Sequence, residues 1–283
     1  MTVAPEYQNA PLGVAIITLV GGDATARCAA VTGQQLNEID PVPVMIASNL
    51  QDGRTVPLRR GRAITIAQTQ LVALIEDTTL IGADWRDAVV AAFADPTVGA
   101  VWGPVRIDPN LPPRFRALGR LEYGRFDGRA PLPDTMPGNC FALRRDALVK
   151  ADFAADGGIV EHMLAKALYA SDLSIRCLEA ALVTYAVADR YGAKLSTRFG
   201  HGRLYGGTRA GDLTFAGRLV QVLKSPLVPA VLTARAVSWA ASTAPVRVWL
   251  AELPWIGLMA LAWGAGELTG ALFGVGQSEG SWR

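Results

Sequence analysis

A short apolar, β-prone run, Val72-Ala73-Leu74-Ile75, ends abruptly in Glu76-Asp77-Thr78, and Trp85 follows closely. Strands of α/β proteins often deliver charged residues at their C-terminal ends, where ligands bind. Two adjacent carboxylates there can hold a divalent metal or hydrogen-bond a ligand hydroxyl. An acidic, solvated strand-to-turn junction has the same sequence, so this run needs the rest of the chain to give it meaning.

The surrounding pattern predicts alternating strands and helices. Leu12 to Val20 reads as a buried strand closed by Gly21-Gly22, with a helix capped by Asp23 running to about Asn37. Pro43 to Ser48 reads as a second strand, Asn49 to Gly53 as a turn, and Ala63 to Ile66 as a further short strand. Asp84 is placed to cap a helix from Trp85 to Phe93, which Asp95-Pro96 ends. Val98 to Val105 reads as one strand, and Arg106 to Pro137 as a proline-, glycine- and arginine-rich interruption. Cys140 to Leu143, Ser174 to Cys177 and Ala181 to Val187 read as strands, with helices over Arg144 to Lys150 and Glu161 to Ser171. Such alternation predicts an α/β fold with a mainly parallel sheet and a mixed second half.

The 283 residues can bury a substantial core. A net charge of +2 is too small to argue for nucleic-acid binding. Cys28, Cys140 and Cys177 lie far apart and lack metal-ligand spacing, so buried thiols in a reducing compartment are expected. Met1 to Pro11 lacks the order of a secretion signal, which predicts a cytoplasmic catalytic part. The 51% hydrophobic content is concentrated after about Leu219. A spanning helix needs about 20 apolar residues. The uninterrupted run Leu253 to Gly266 is shorter, and Glu267 follows it. Helices lying in the membrane interface, or a re-entrant pair, are therefore expected there. Trp239, Trp249, Trp255 and Trp263 suit headgroup level, and Arg218, Lys224, Arg235 and Arg247 suit anionic lipid. A helical pair packed on the soluble part, or on a partner protein, would share this composition.

Several motifs now fall in one order. They are Gln34-Gln35 after the first strand, Gln51-Asp52-Gly53-Arg54-Thr55, Glu76-Asp77-Thr78, Asp95-Pro96-Thr97-Val98-Gly99, and Gly103-Pro104. Pro137 to Arg145, Gly157 to His162, His201-Gly202-Arg203 and Ala265 to Gly270 follow. In this order the chain resembles a family-2 glycosyltransferase of the GT-A fold, over nearly its whole length. The resemblance implies a Rossmann-like mixed sheet flanked by helices and an apolar, membrane-associated C-terminal region. It also implies inverting transfer of a sugar from a nucleotide-sugar donor to a lipid-linked or glycan acceptor, with a divalent metal, Mg²⁺ or Mn²⁺. The expected organisation is a glycosyltransferase domain over 1–197, split into a nucleotide-binding half (1–105) and an acceptor half (106–197). Residues 198–283 would form the membrane-associated region, on the cytoplasmic face of a bacterial inner membrane, in polysaccharide or glycolipid assembly.

The resemblance carries roles over residue by residue. Glu76 and Asp77 match the acidic donor motif, with Asp77 and Thr78 as metal ligands, Thr78 standing where the family has an acid. Thr18, Asp52, Gly138 and Asn139 match donor-binding positions, and Ser48 or Asn49 would replace the family acid that is Ala47 here. The family's helix with an Ala-Arg-Asn signature lacks a clear counterpart, and Arg59, Arg60 or Arg62 is the candidate substitute cation. Glu161-His162 matches the paired acidic motif that supplies the base, so either residue is a candidate for proton removal. His201 and Arg203 match a basic stretch that would clamp the pyrophosphate. These departures also motivate a second reading, a degenerate glycosyltransferase-like subunit that scaffolds a partner enzyme at the membrane. A nucleotidyltransferase on a related fold, with Gly21-Gly22-Asp23 as its phosphate loop, is the third.

Overall fold

The computed structural model describes residues 12–36, 44–46, 54–129, 135–186, 191–211 and 213–278. The chain divides into two compact units, Met1–Asp108 with Phe126–Val187, and Pro109–Arg125 with Ala188–Arg283.

The first unit is built on two sheets. A six-stranded sheet has the order β2-β1-β3-β7-β5-β8, formed by β1 (Leu12–Ile17), β2 (Val44–Ile46), β3 (Leu71–Glu76), β5 (Val98–Trp102), β7 (Cys140–Arg144) and β8 (Ser174–Cys177). Strands β2, β1 and β3 are parallel, β7 runs antiparallel between β3 and β5, and β8 is parallel to β5. Every residue of β1, β3, β5 and β7 is buried, as the continuous apolar runs require of strands covered on both faces. A second sheet joins β4 (Thr79–Ile81), β9 (Val183–Tyr185) and β6 (Val105–Ile107) in the order β4-β9-β6. Helices α1 (Asp23–Leu36), α2 (Val56–Ile66), α3 (Trp85–Ala92), α5 (Arg145–Lys150) and α6 (Glu161–Ala170) alternate with the strands. The mixed sheet with flanking helices is the α/β architecture that the alternation predicts.

Several local expectations are corrected. Residues 63–66 form the last turn of α2, not a strand. Thr55 enters with extended backbone, Pro57 sits in the first turn, and Arg59, Arg60 and Arg62 are straight-chain helix formers. The stretch 98–105 is two strands in two different sheets. Pro104 has no N–H for a ladder, and a Cβ on Gly103 would lie 1.5 Å from the Ala181 carbonyl oxygen. Asp84 precedes α3 without a side-chain cap bond. Cys28 and Cys140 are buried as expected, but Cys177 is exposed.

The second unit is helical, with α4 (Pro113–Tyr123), α7 (Tyr191–Gly211), α8 (Phe215–Lys224), α9 (Val228–Thr243) and α10 (Val246–Phe273). Helix α4, inside the stretch expected to be irregular, packs Ala117 with Ala236 and Ile256, flanked by Leu121 and Trp255. Helix α7 runs across residues 197 and 198. It pairs with α10 through glycines. A Cβ on Gly202 would lie 2.2 Å from the Trp263 carbonyl oxygen, one on Gly206 2.2 Å from that of Glu267, and one on Gly270 2.1 Å from that of Arg203. Two small-xxx-small pairs, Gly202/Gly206 and Gly266/Gly270, thus let the backbones touch. Glu252, fully buried in apolar α10, receives Arg116 Nε at 2.7 Å and Arg120 Nε at 3.2 Å, and Arg120 also donates to Thr243 Oγ1. Segments 215–243 and 246–273 are long and apolar enough to cross a membrane, by length and composition.

Candidate functional site

The parallel pairing of β1 with β3 sets Ile17 beside Glu76, and antiparallel β7 sets Cys140 beside Ile75. Thr18, Glu76-Asp77-Thr78 and Gly138-Asn139 are therefore brought to one end of the sheet. Two backbone bonds fix the junction. Glu76 N donates to Asn139 O at 2.8 Å, and Asp77 N to Ile17 O at 3.0 Å.

Arg60 of α2 organises the carboxylates. Its Nη2 donates to Glu76 Oε1 at 2.7 Å and to the Gly138 carbonyl at 2.9 Å, while Nη1 reaches Glu161 Oε1 at 2.5 Å. Arg60 and Glu76 are almost fully buried, and the Glu161 side chain is 18% exposed. Glycine at 138 is a requirement of this bridge, because a Cβ there would lie 2.0 Å from Glu161 Oε1 and 2.8 Å from Arg60 Nη2. Arg59, also buried, donates to the Thr18 carbonyl at 2.7 Å. Of the three candidate cations, Arg60 is the one between the two acids.

Asp77 does something different. Its Oδ1 accepts from Leu19 N at 2.9 Å and Val20 N at 3.2 Å. Its Oδ2 accepts from Val20 N at 3.1 Å, Gly21 N at 2.9 Å and Thr25 Oγ1 at 2.8 Å. The carboxylate is fully buried and holds the turn from β1 into α1. Its lone pairs are used by the protein itself. Thr78 offers a neutral hydroxyl, and no group of three His, Cys, Asp or Glu side chains that could hold a metal occurs among the described residues. The expected metal pair Asp77 and Thr78 therefore does not fit a divalent ion. Among the described residues, two buried polar atoms here have no hydrogen-bond partner, Thr78 Oγ1 and Asn139 Oδ1, although Asn139 Nδ2 donates to Thr79 Oγ1 at 3.0 Å.

Beneath the tip, Cys28 Sγ donates to the Thr79 carbonyl at 3.3 Å. Burial pushes this thiol up to about 12, and burial raises Cys140 further still. Neither is a thiolate nucleophile at neutral pH.

His162 follows Glu161 on α6 and is exposed. His201 and Arg203 belong to α7 of the second unit, where His201 is half-buried and Arg203 Nε donates to the Gly274 carbonyl at 3.2 Å, at the C-terminal end of α10. A cation at that position satisfies a helix-end carbonyl. Ala47, Ser48, Asn49 and Asp52 lie outside the described residues.

The architecture is a GT-A-like fold. It is similar to a mannosyltransferase from Pyrobaculum calidifontis solved with GDP-mannose and Mn²⁺, at 16% identity and a TM-score of 0.52, over 96% of this chain and 90% of that one. Further similarities are to GalNAc-T7 solved with UDP, GalNAc and Mn²⁺ (12% identity, TM-score 0.44, 65% of this chain and 44% of that one) and to a mycobacterial protein (11%, 0.43, 71% and 77%). No family model and no curated protein matches the sequence.

Proposed function

We propose that the chain is an inverting glycosyltransferase. It takes a sugar from a nucleotide-sugar donor to a lipid-linked or glycan acceptor at a membrane, in glycolipid or polysaccharide assembly. The observation that carries this reading is the Arg60 bridge between Glu76 and Glu161, beside the open polar atoms of Thr78 and Asn139. A sugar presents hydroxyls that are both donors and acceptors. Two buried acceptors, Glu76 and Asn139 Oδ1, and a hydroxyl at Thr78 suit them. Glu161 is the more exposed end of the bridge and is the residue we assign as base. Its carboxylate takes the proton of the acceptor hydroxyl as that oxygen attacks the anomeric carbon, and the nucleoside diphosphate departs on the opposite face. Arg60 is the positioning residue that sets the Glu161 carboxylate. The similar mannosyltransferase was solved with a nucleotide sugar, which agrees with a donor of this class. The apolar segments 215–243 and 246–273 support membrane attachment.

A specific observation favours the degenerate scaffold as second reading: Glu76 and Asp77 are each engaged by the protein's own donors. One experiment separates them. Purified protein is titrated with UDP- and GDP-linked hexoses, in Mg²⁺, in Mn²⁺ and in EDTA, with binding and donor hydrolysis as readouts. Micromolar binding of one donor, with hydrolysis lost in Glu161→Gln, is expected. Absence of binding to every donor in all three conditions overturns the catalytic reading.

A further inference from the structure

The second unit holds a cavity of about 440 Å³ between α7, α8, the turn at 225–227 and α10. Its lining is mostly apolar, with Leu213 and Val220 among the walls, and includes Arg209, Lys224, Gln221 and Glu267. Gln221 is buried. Its Nε2 donates to the Gly206 carbonyl at 3.0 Å, and its Oε1 is a buried acceptor with no partner among the described residues. Glu267 Oε2 accepts from Trp263 Nε1 at 3.3 Å. Arg209 and Lys224 are exposed. Alongside, α8 turns Phe215, Leu219, Val220 and Leu223 outward, with Phe215 84% exposed.

Each feature asks something of an occupant. Arg209 and Lys224 outnumber Glu267, which already interacts with Arg209, and the net positive charge left over asks for an anion. An orphan amide oxygen beside a carboxylate asks for a hydroxyl or ammonium donor, because an acceptor left desolvated and unpaired is unfavourable. The outward apolar side chains of α8 ask for a hydrocarbon chain. We infer that this cavity binds the headgroup of an anionic phosphoglyceride bearing free hydroxyls, of the phosphatidylglycerol class. Arg209 and Lys224 meet the phosphate, Gln221 Oε1 accepts from a headgroup hydroxyl, and the acyl chains lie along α8. The inference rests on the membrane attachment proposed above and is independent of the sugar chemistry.

The test is flotation of the full chain with vesicles of phosphatidylcholine alone, or with phosphatidylglycerol or phosphatidic acid added at equal mole fraction. Flotation with phosphatidylcholine supports membrane attachment. Addition of phosphatidylglycerol is expected to raise the bound fraction, by about fivefold for each engaged cation. Arg209→Gln/Lys224→Gln is expected to return it to the phosphatidylcholine level, whereas Arg114→Gln/Arg125→Gln, at exposed cations elsewhere on the unit, retains the gain. Gln221→Leu is expected to abolish the preference for phosphatidylglycerol over phosphatidic acid, which lacks headgroup hydroxyls. Equal flotation with and without phosphatidylglycerol, or equal losses in the two double variants, overturns the site while membrane attachment stands. Failure to float with any vesicle overturns both.

Discussion

Neighbouring residues 76 and 77 illustrate how one chemical type serves two ends. Successive residues at a strand tip face opposite ways. Glu76 meets Arg60, whereas Asp77 meets three backbone N–H groups and the Thr25 hydroxyl. Asp77→Ala leaves those partly buried donors and the buried Thr25 hydroxyl unpaired and is expected to cost about 3 kcal/mol. Urea unfolding checks this, and added Mn²⁺ is expected not to restore the loss. A variant as stable as the parent would return Asp77 to the ligand pool. Glu161 and His162 give the companion prediction. Glu161→Gln is expected to lower kcat by about 10²- to 10⁴-fold with little change in donor KM. His162→Ala, altering an exposed ring, is expected to keep near-parental kcat. Steady-state kinetics on the donor identified by the binding panel decides between them. The sequence drew attention to all four residues but could not say where each points. That depends on which strand lies next door, and β7 arrives from more than sixty positions later.

Among the elements, the central strands were legible because they are continuous apolar runs, and a strand buried on both faces must be one. Helix α2 was not, because its last turn, Ile64-Thr65-Ile66, is β-prone and its first carries a cation. Only the acids of the first unit explain Arg60. Helix α4 was hidden for the same reason. Its arginines lie in a stretch that prolines and glycines mark as an interruption, yet Arg116 and Arg120 point to a carboxylate more than 130 positions away. The glycines of α7 and α10 were visible as residues, and the close approach they permit was not. Glu252 is the point on which this unit's polar packing turns. Removing its carboxylate leaves two guanidinium groups largely buried and uncompensated, so Glu252→Ala is expected to cost about 3–5 kcal/mol. Replacing all three partners with apolar residues of similar volume is expected to be far milder. Thermal unfolding of Glu252→Ala and of the triple variant checks both. A triple variant as unstable as the single one would show that the helices need the charges themselves, not merely their pairing.

For the molecule as a whole, the titrating groups define a pH window. Asp95 accepts hydrogen bonds from the Thr97 hydroxyl and backbone and pairs with Arg176, which lowers its carboxyl to about 2. A depressed folded value means that this stabilisation is complete above the unfolded carboxyl value. It is lost as pH falls from there through about 2. The thiols work in the other direction. Burial raises Cys28 to about 12, and partial desolvation together with the nearby Glu179 and Asp127 carboxylates raises the more exposed Cys177 less, to about 11. A raised value means that their stabilisation is complete below the ordinary thiol value, near 9, and is lost as pH rises through the folded values. The slope is up to about 1.4 kcal/mol per pH unit for one fully desolvated thiol. Stability is therefore expected to be flat from about pH 4 to 8.5 as far as these groups are concerned, and to fall on both sides. Denaturant unfolding across that range is the check. Cys28→Ala has a small side chain and no titrating group, so it is expected to flatten the alkaline limb while lowering the plateau by about 1 kcal/mol through the lost packing. An alkaline limb unchanged in Cys28→Ala would mean that Cys28 is not what gives way, and Cys140, which burial raises still further, would be the next thiol to remove.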